Sequence, residues 1–560
     1  MKKLFSLISI MTLALVLVAC GATTTVDTNV TTQAAPMVLN WNIGADPDTL
    51  DPALNAATDG GDVINNTFEG LVRDVAGVIS PGIAESWDVS EDGLTYTFHL
   101  RHSLWSDGSE LTANDFVWSW QRAIDPNTAS DYSYIWEYTN VENAYDILYN
   151  AADPSTLGVE ATDDYTLVVT LTVPTPYFVG LMSFFHFMPT KQSAVEAEGG
   201  ESGLWAKDPD LVVCNGPFML SDYKSGDGLT LVKNPNYWNA DEVYLSQING
   251  KFIQEASTAY VGYNSGTLDV IPSVPTAMTA DLIALDPNFH VFALPGTYYY
   301  MFNLDPTSES YDPIFANVKL RTAMTYAINR TAITETLSAG QIPATAFVPP
   351  GFLDADGNDF AATAGNYGIA TDDSNFDQAV TLFAEAASEL GMTVAELQAD
   401  LSDKVLLYNT SEGHQLIAQM VVESWNQVLG FEMSLQNQDW AVFQNTRTEG
   451  DFDIARGGWI TDYMDPMGLL SLFTSSSGLN DGSYSSTVYD EAIAAANSAT
   501  DNGYRFDQLY AAQEQLMEDL PIIPVYYYAD TLLIREYVQD WGRSSLGSLD
   551  FTHAKIVDVE

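Results

Sequence analysis

Between Leu94 and Arg101 the chain alternates strictly: Leu94, Tyr96, Phe98 and Leu100 fall on one face, Thr95, Thr97, His99 and Arg101 on the other. A period of two is that of a half-buried strand. Tyr165 to Val173 is a second β-rich run, closed by Pro174 and Pro176. Between the two runs the period lengthens. Thr112 is placed to cap a helix that carries Phe116, Val117 and Trp120, with Asp115 in its first turn. The longest helical stripe lies between Glu412 and Leu429, where Leu416, Ile417, Met420, Val421, Trp425, Val428 and Leu429 recur at three- and four-residue steps. Gly430 is placed to close that helix, and Phe431 to Leu435 is predicted to start a strand.

Leu406 to Tyr408 lies just upstream, so this region reads as strand, helix, strand. A further helix, near Phe506 to Leu520, stops at Pro521, and Val525 to Tyr528 follows as a strand. The pattern predicts an α/β protein with mixed sheets. No short repeat is visible and no clean linker follows residue 40, so the domains are expected to interleave.

Composition narrows the class. The chain has 560 residues, 46% of them hydrophobic, enough to bury large cores in several domains. Aromatics at 12% argue against a disordered acidic chain, despite a formal net charge of −55. That charge argues against nucleic acid or an anionic membrane surface as partner, since both repel it. It suits a soluble surface in salty surroundings, where screening weakens repulsion between carboxylates.

At the N-terminus, Lys2 and Lys3 precede an apolar run from Leu4 to Ala19, too short to span a membrane but suited to a signal peptide over residues 1–19. The run ends Leu17-Val18-Ala19-Cys20-Gly21, which looks like the lipobox of bacterial lipoproteins, with cleavage leaving Cys20 as the lipid-bearing terminus. The alternative is an ordinary signal peptide with an incidental cysteine. Residues 20–35 then form a polar tether of low complexity. The second cysteine, Cys214, sits in an apolar run and reads as a buried packing residue. With Cys20 lipidated, no intramolecular disulfide is available.

Candidate chemistry is sparse. Motifs of the types GxxxxGK[ST], HExxH and GxSxG are absent. His99 and His102, three residues apart on a strand, fall on opposite faces and have few further ligands nearby, so no metal site is expected. Carboxylate pairs say nothing among 75 acids. No cofactor and no enzymatic activity are expected.

What does stand out is aromatic residues beside scarce cations. Only 20 lysines and arginines are present, yet Arg456 lies six residues before Asp462 in "DIARGGWITDYMDP". Tyr298-Tyr299-Tyr300, Tyr526-Tyr527-Tyr528 and Trp459 are further aromatic positions near strand or loop ends; core packing accounts for most of the tyrosines. Aromatic walls with a few fixed charges also describe a pocket for an amphipathic ligand.

From about Trp41 to the C-terminus the chain resembles the oligopeptide-binding proteins of bacterial ABC importers, the family 5 extracellular solute-binding proteins. Eight segments carry the resemblance in the family's order: "PGIAESWDVSEDGLTYTFHLR", "WSDGSELTANDFVWSWQRAIDPNTAS", "NGPFMLSDY", "LVKNPNYWN", "LRTAMTYAINR", "YNTSEGHQ", "RTEGDFDIARGGWITDYMDP" and "PIIPVYYY". It implies a two-lobed periplasmic-binding-protein-like fold of the class II type with an additional inserted domain. The first lobe would comprise residues 36–68, 195–295 and 530–560, the inserted domain 69–194, and the second lobe 296–529.

The resemblance also implies site roles. Asp462 matches the aspartate that binds the peptide's α-ammonium group. Arg456, Arg447 and His414 match residues that meet the carboxylate at different peptide lengths. Tyr132, Tyr528 and Trp459 match pocket residues, and the backbone of Asn55 to Asp59, including Thr58, and of Gly458 to Ile460 would sandwich the peptide as an extra strand. Such backbone pairing is blind to side chains, while a buried carboxylate and a forked guanidinium would read the two charged ends.

Six extended residues span roughly 20 Å, against about 10 Å for a tripeptide. The segment is therefore expected to bend at Gly457-Gly458, or the arginine to reach inward. Two features depart from the family pattern. The helix after "AINR" reads Thr336-Leu337-Ser338 where members have a lysine, and Gly296 and Ile460 stand where enteric members have a cysteine pair.

The expected protein is a monomeric receptor, lipid-anchored at Cys20 on the cell membrane and facing the extracellular space or periplasm. It delivers oligopeptides to the permease subunits of an ABC importer and binds no nucleic acid. The alternatives are a binding protein of the same fold for another solute, such as an oligosaccharide, and a secreted carboxylate-dependent hydrolase.

Overall fold

A computed structural model describes residues 36–75, 77–197 and 203–557, so the expected signal peptide, tether and lipidated Cys20 lie outside the described residues. The alternating run becomes the strand Thr95–Leu100, which buries Tyr96, Phe98 and Leu100. It pairs with Ala84–Val89 and with Thr166–Thr170, which in turn pairs with Val159–Asp163, in a four-stranded antiparallel sheet. Helix α1 spans Thr58–Thr67 and helix α2 spans Ala113–Ile124. The carboxylate of Asp115 accepts from the Thr112 backbone N–H at 2.7 Å, a capping interaction that starts α2 where the sequence placed it.

The largest sheet among the described residues has 11 strands. Ten of them are β1 (Val38–Asn42), β2 (Phe218–Lys224), β3 (Gly228–Lys233), β4 (Gln247–Lys251), β5 (Val270–Ile271), β6 (Phe289–Phe302), β7 (Val405–Asn409), β8 (Ser434–Gln438), β9 (Ile454–Ile460) and β10 (Ile522–Ile534). Their order is β2-β3-β4-β1-β5-β10-β6-β9-β7-β8, and the short strand Ile342–Pro343 pairs with β10.

Two strands run much longer than the rest, and they join two large cores. One core is drawn from residues between Tyr298 and Tyr526. The other is drawn from residues between Leu39 and Val270, with Tyr463 and residues from Leu532 to Ala554. Strands β6 and β10 pair antiparallel in two runs: Phe289↔Leu533 to Ala293↔Ala529, then Thr297↔Tyr527 to Met301↔Ile522. The break falls at Leu294-Pro295-Gly296, where proline brings no N–H to the ladder. The second run lies in the first core, while the first run divides between the other core and a small cluster that holds Phe289 and Leu533.

Helix α3 spans Glu412–Leu429, as the stripe predicts, and Gly430 closes it with φ +80°. Its inner face is Ile417, Val421, Trp425 and Leu429, while Leu416 sits at the exposed edge of the stripe. The strand predicted from Phe431 begins only at Ser434, because buried Phe431 and Met433 first pack into the core. The strand expected at Val525–Tyr528 extends from Ile522 to Ile534 because it serves both cores. Helix α4 spans Trp440–Thr448 and α5 spans Asn502–Asp519. Cys214 is buried. No helix among the described residues is long and apolar enough to cross a membrane.

Candidate functional site

Strand β9 has one satisfied edge and one largely open edge. Along its whole length it pairs antiparallel with β6, from Phe302↔Ile454 to Gly296↔Ile460. On its other side β7 reaches only Leu406↔Ile454 and Leu407↔Ala455. From Arg456 to Ile460 the alternate peptide groups that point away from β6 therefore have no strand partner, and such an edge can take an added strand.

The expected bend at Gly457-Gly458 is absent, since β9 runs unbroken through both glycines. What they provide is clearance. A Cβ on Gly457 would lie 2.3 Å from the Tyr299 ring, and one on Gly458 would lie 2.3 Å from Tyr528 Oη. The chain turns instead after Ile460, where the Thr461 N–H donates to Pro295 O at 3.0 Å and the Thr461 hydroxyl donates to Tyr463 O at 3.0 Å. That turn delivers Asp462. Ile460 is 42% exposed, and its partner Gly296 completes the pair that departs from the family pattern.

The cationic end is built on Arg456. Its Nη2 donates to Tyr528 Oη at 2.8 Å, and its guanidinium lies 4.9 Å from the centre of the Tyr298 ring. It is half-buried, its Nε has no partner, and no carboxylate is among its main electrostatic partners. Buried Arg321 and Arg330 also form no ion pair, but each is held by three backbone carbonyls, which Arg456 lacks. His414, in the first turn of α3, places Nδ1 3.3 Å from Tyr298 Oη. Burial, reinforced by the charge of Arg456, pulls its pKa down to about 4, so the imidazole is neutral at pH 7. Arg447 is placed differently. On α4 its Nε lies 2.5 Å from Asp481 Oδ2, so its charge is already matched within the protein.

The anionic end is Asp462. Tyr132 Oη donates to its Oδ1 at 3.1 Å. Burial pushes the Asp462 carboxyl above the usual aspartate range, and the hydroxyls of Tyr132 and Tyr134 pull it back only in part. No cation is among its partners. Tyr132 is backed by Phe184 and Phe185, with ring centroids at 5.2 and 6.1 Å, and by Tyr134 at 5.1 Å. Asp462 itself lines a cavity of about 450 Å³ with Tyr463, Asp465 and Arg505. On the other side of its tyrosines, a cavity of about 740 Å³ is lined by Trp459, Tyr134, Glu137, Tyr138, Ser471 and Leu479 among others.

Thr58 does not join an extended segment. It is the exposed first residue of α1, and Asp59 follows it into the helix. Only Asn55 to Ala57 remains non-helical, where the Asn55 side-chain amide donates to Ala57 O at 2.8 Å. A strand-like contact with a ligand from this side is thus confined to Asn55–Ala57.

Of the sequence candidates, Arg456, His414, Tyr528, Gly458 and Ile460 gather along β9 or against it, and Asp462 with Tyr132 and Trp459 gathers at its far end. The reading of the sequence left Tyr298 among core tyrosines and passed over Tyr134 and Tyr138. Tyr134 lies two residues from Tyr132, and Tyr138 one helical turn further on, a spacing that could have linked all three. No metal-binding group of His, Cys, Asp and Glu is present among the described residues. His99 instead lies 2.8 Å from Asp88.

Comparison with known proteins places this geometry in a family. The family model for bacterial extracellular solute-binding proteins, family 5 Middle, matches residues 78–481. The periplasmic oligopeptide-binding protein OppA of Escherichia coli (strain K12) is 34% identical over 529 residues, covering 94% of this chain and 93% of that protein. Among solved structures, the unliganded open form of the periplasmic murein tripeptide binding protein MppA superposes with a TM-score of 0.81 at 32% identity, covering 94% of this chain and 98% of its own. Haemophilus influenzae OppA in complex with RPPGFSPFR gives 0.69 at 31% identity, covering 93% and 99%. The present conformation is closer to the open, unliganded relative than to the peptide complex.

Proposed function

The chain belongs to the family 5 bacterial extracellular solute-binding proteins, and from that premise we propose that it is a receptor that binds oligopeptides between two lobes and delivers them to an ABC importer. The observation that carries this reading is the pair of half-buried, uncompensated charges, Arg456 and Asp462, at the two ends of an unpaired strand edge. A peptide is a zwitterion whose backbone N–H and C=O groups need partners when buried. The edge of β9 supplies those partners, Asp462 takes the ammonium group, and Arg456 takes the carboxylate with Tyr528 and His414 beside it. Arg447 serves only if its pairing with Asp481 opens. The names of the relatives, one of them in complex with a peptide, support the same ligand class.

In this reading the lobes follow the two cores: residues 36–68, 195–295 and 530–560 on one side, 296–529 on the other, with 69–194 inserted. Strands β6 and β10 connect them, and the broken register at residues 294–296 is where closure would bend the chain. The higher similarity to an open relative supports an open state here. The bound peptide leaves chemically unchanged. Native mass spectrometry of the purified protein should find co-purifying peptides, and small-angle scattering should show a smaller radius of gyration with a tightly bound peptide. Co-purifying sugars, or scattering unchanged at saturation, would overturn the reading.

The lipobox-like Leu17 to Gly21 supports a lipid anchor at Cys20. Cys20→Ser should move the protein from the membrane fraction to the soluble fraction. Continued membrane retention would argue against the anchor.

A further inference from the structure

The ammonium site adjoins a space whose chemistry is one-sided. The 740 Å³ cavity beside Trp459 and Tyr134 borders a second of about 500 Å³, and both are lined by Glu137, Tyr138, Ser471, Thr474 and Ser476. No lysine, arginine or histidine is among the described residues lining either one. The charged groups in the walls are two carboxylates, Glu137 and Asp490, set among aromatic rings, hydroxyls, amides and apolar side chains.

The carboxylates differ in how far they are already engaged. Asp490 accepts from the Ser475 N–H at 2.9 Å and from the Ser475 hydroxyl at 2.5 Å, so it holds its own loop. Glu137, on the short helix Ile135–Thr139, accepts from Tyr149 Oη at one oxygen only. Glu137 is exposed, and no cation is paired with it among the described residues.

We propose that this cavity receives the side chain of the ligand's first residue and that Glu137 makes it select a cationic one, lysine or arginine. The proposal rests on the peptide reading above and names the substrate class within it. The first residue is the one concerned because Tyr134, its ring 5.1 Å from that of the Asp462 donor Tyr132, lines the cavity, as does Trp459, three residues before Asp462. A side chain branching from the carbon next to the ammonium group therefore enters between Tyr134 and Trp459. Ring faces there stabilise a cation, and the carboxylate of Glu137 supplies its counter-charge. The space far exceeds a lysine side chain, so neutral residues are accommodated with water, and the effect is a preference rather than an exclusion. A purely structural Glu137 would serve only to hold Tyr149, and glutamine would keep that hydrogen bond.

Calorimetry on wild type and Glu137→Gln with Lys-Ala-Ala, norleucine-Ala-Ala and Ala-Lys-Ala separates these outcomes. Wild type should bind Lys-Ala-Ala roughly five- to ten-fold tighter than the norleucine peptide. The variant should lose most of that ratio while its affinity for the norleucine peptide stays the same. Equal affinities in the wild type, a lysine preference that survives in Glu137→Gln, or a preference confined to Ala-Lys-Ala would each overturn the pocket. Wild type binding none of the three would overturn the peptide reading itself.

Discussion

Asp462 and Asp465 lie three residues apart, and the fold treats them oppositely. Asp465 is buried and bound by both ends of the Arg505 guanidinium, at 2.6 and 2.8 Å. Asp462 is half-buried and has only tyrosine hydroxyls. The pairing of Asp465 recurs elsewhere: Asp51 is forked by Arg122 at 2.6 and 3.0 Å, and Glu69 lies 2.7 Å from Arg73. Buried Arg321 and Arg330 are satisfied in another way, each by three backbone carbonyls. Charges that serve the fold are satisfied internally, by a counter-charge or by several backbone carbonyls. Asp462 and Arg456 have neither, and in the proposed function the ligand brings the missing partner. Perturbed charges of this kind point to function only when the structural pairs around them have first been set aside.

Breaking the structural pair should have the largest effect. Asp465→Asn leaves Arg505, 1% exposed, without its counter-charge, and should destabilise the protein by about 3–5 kcal/mol in urea denaturation. Asp462→Asn should leave stability unchanged or slightly raised, because it removes a charge that burial disfavours. Similar losses in the two variants would erase the distinction.

Binding should reverse the order. Asp462→Asn should weaken a free-amine peptide by about 2–5 kcal/mol, whereas N-acetylated peptides should bind the wild type poorly and lose far less on the same substitution. The four combinations give the coupling energy by calorimetry, and a value near zero would mean that the ammonium is not read at Asp462. Arg456→Gln should show the mirror pattern with C-amidated peptides at about 1–3 kcal/mol, less cleanly because His414 stands beside it.

The smallest effect is one of pH. An ammonium ligand requires Asp462 ionised, so protonation competes with binding. Because burial raises this carboxyl, affinity should begin to fall at a higher pH than an ordinary aspartate would dictate. His414 cannot compensate, since its pKa of about 4 keeps it neutral through most of that range. Calorimetry from pH 7.5 down to 4.5 checks the direction; an affinity flat with pH would show that Asp462 is not the titrating partner.

Much of the local structure was legible in the chain. The period-two run at Leu94 to Arg101, the Thr112–Asp115 cap and the 18-residue helix α3 all follow from short-range rules, since side-chain spacing and capping involve neighbours within four positions. The sequence also showed that Arg456 and Asp462 were scarce charges set close together. It did not show which tyrosines would surround them. Tyr132 meets Asp462 across 330 residues of chain, and Arg456 meets Tyr528 across 72.

The two glycines make the same point. Their sequence suggested a hinge, yet their function is clearance for rings that arrive from β6 and β10. Arg447 and Arg456 looked equivalent until Asp481 was seen to claim one of them. Sequence by itself determined the elements, the apolar faces and the family, because these depend on periodicity and on motif order. Only the tertiary structure decided which charges remain unpaired and which edge of β9 remains open, because a charge or a backbone group is satisfied by whatever the fold brings within about 3 Å of it, whatever its distance along the chain.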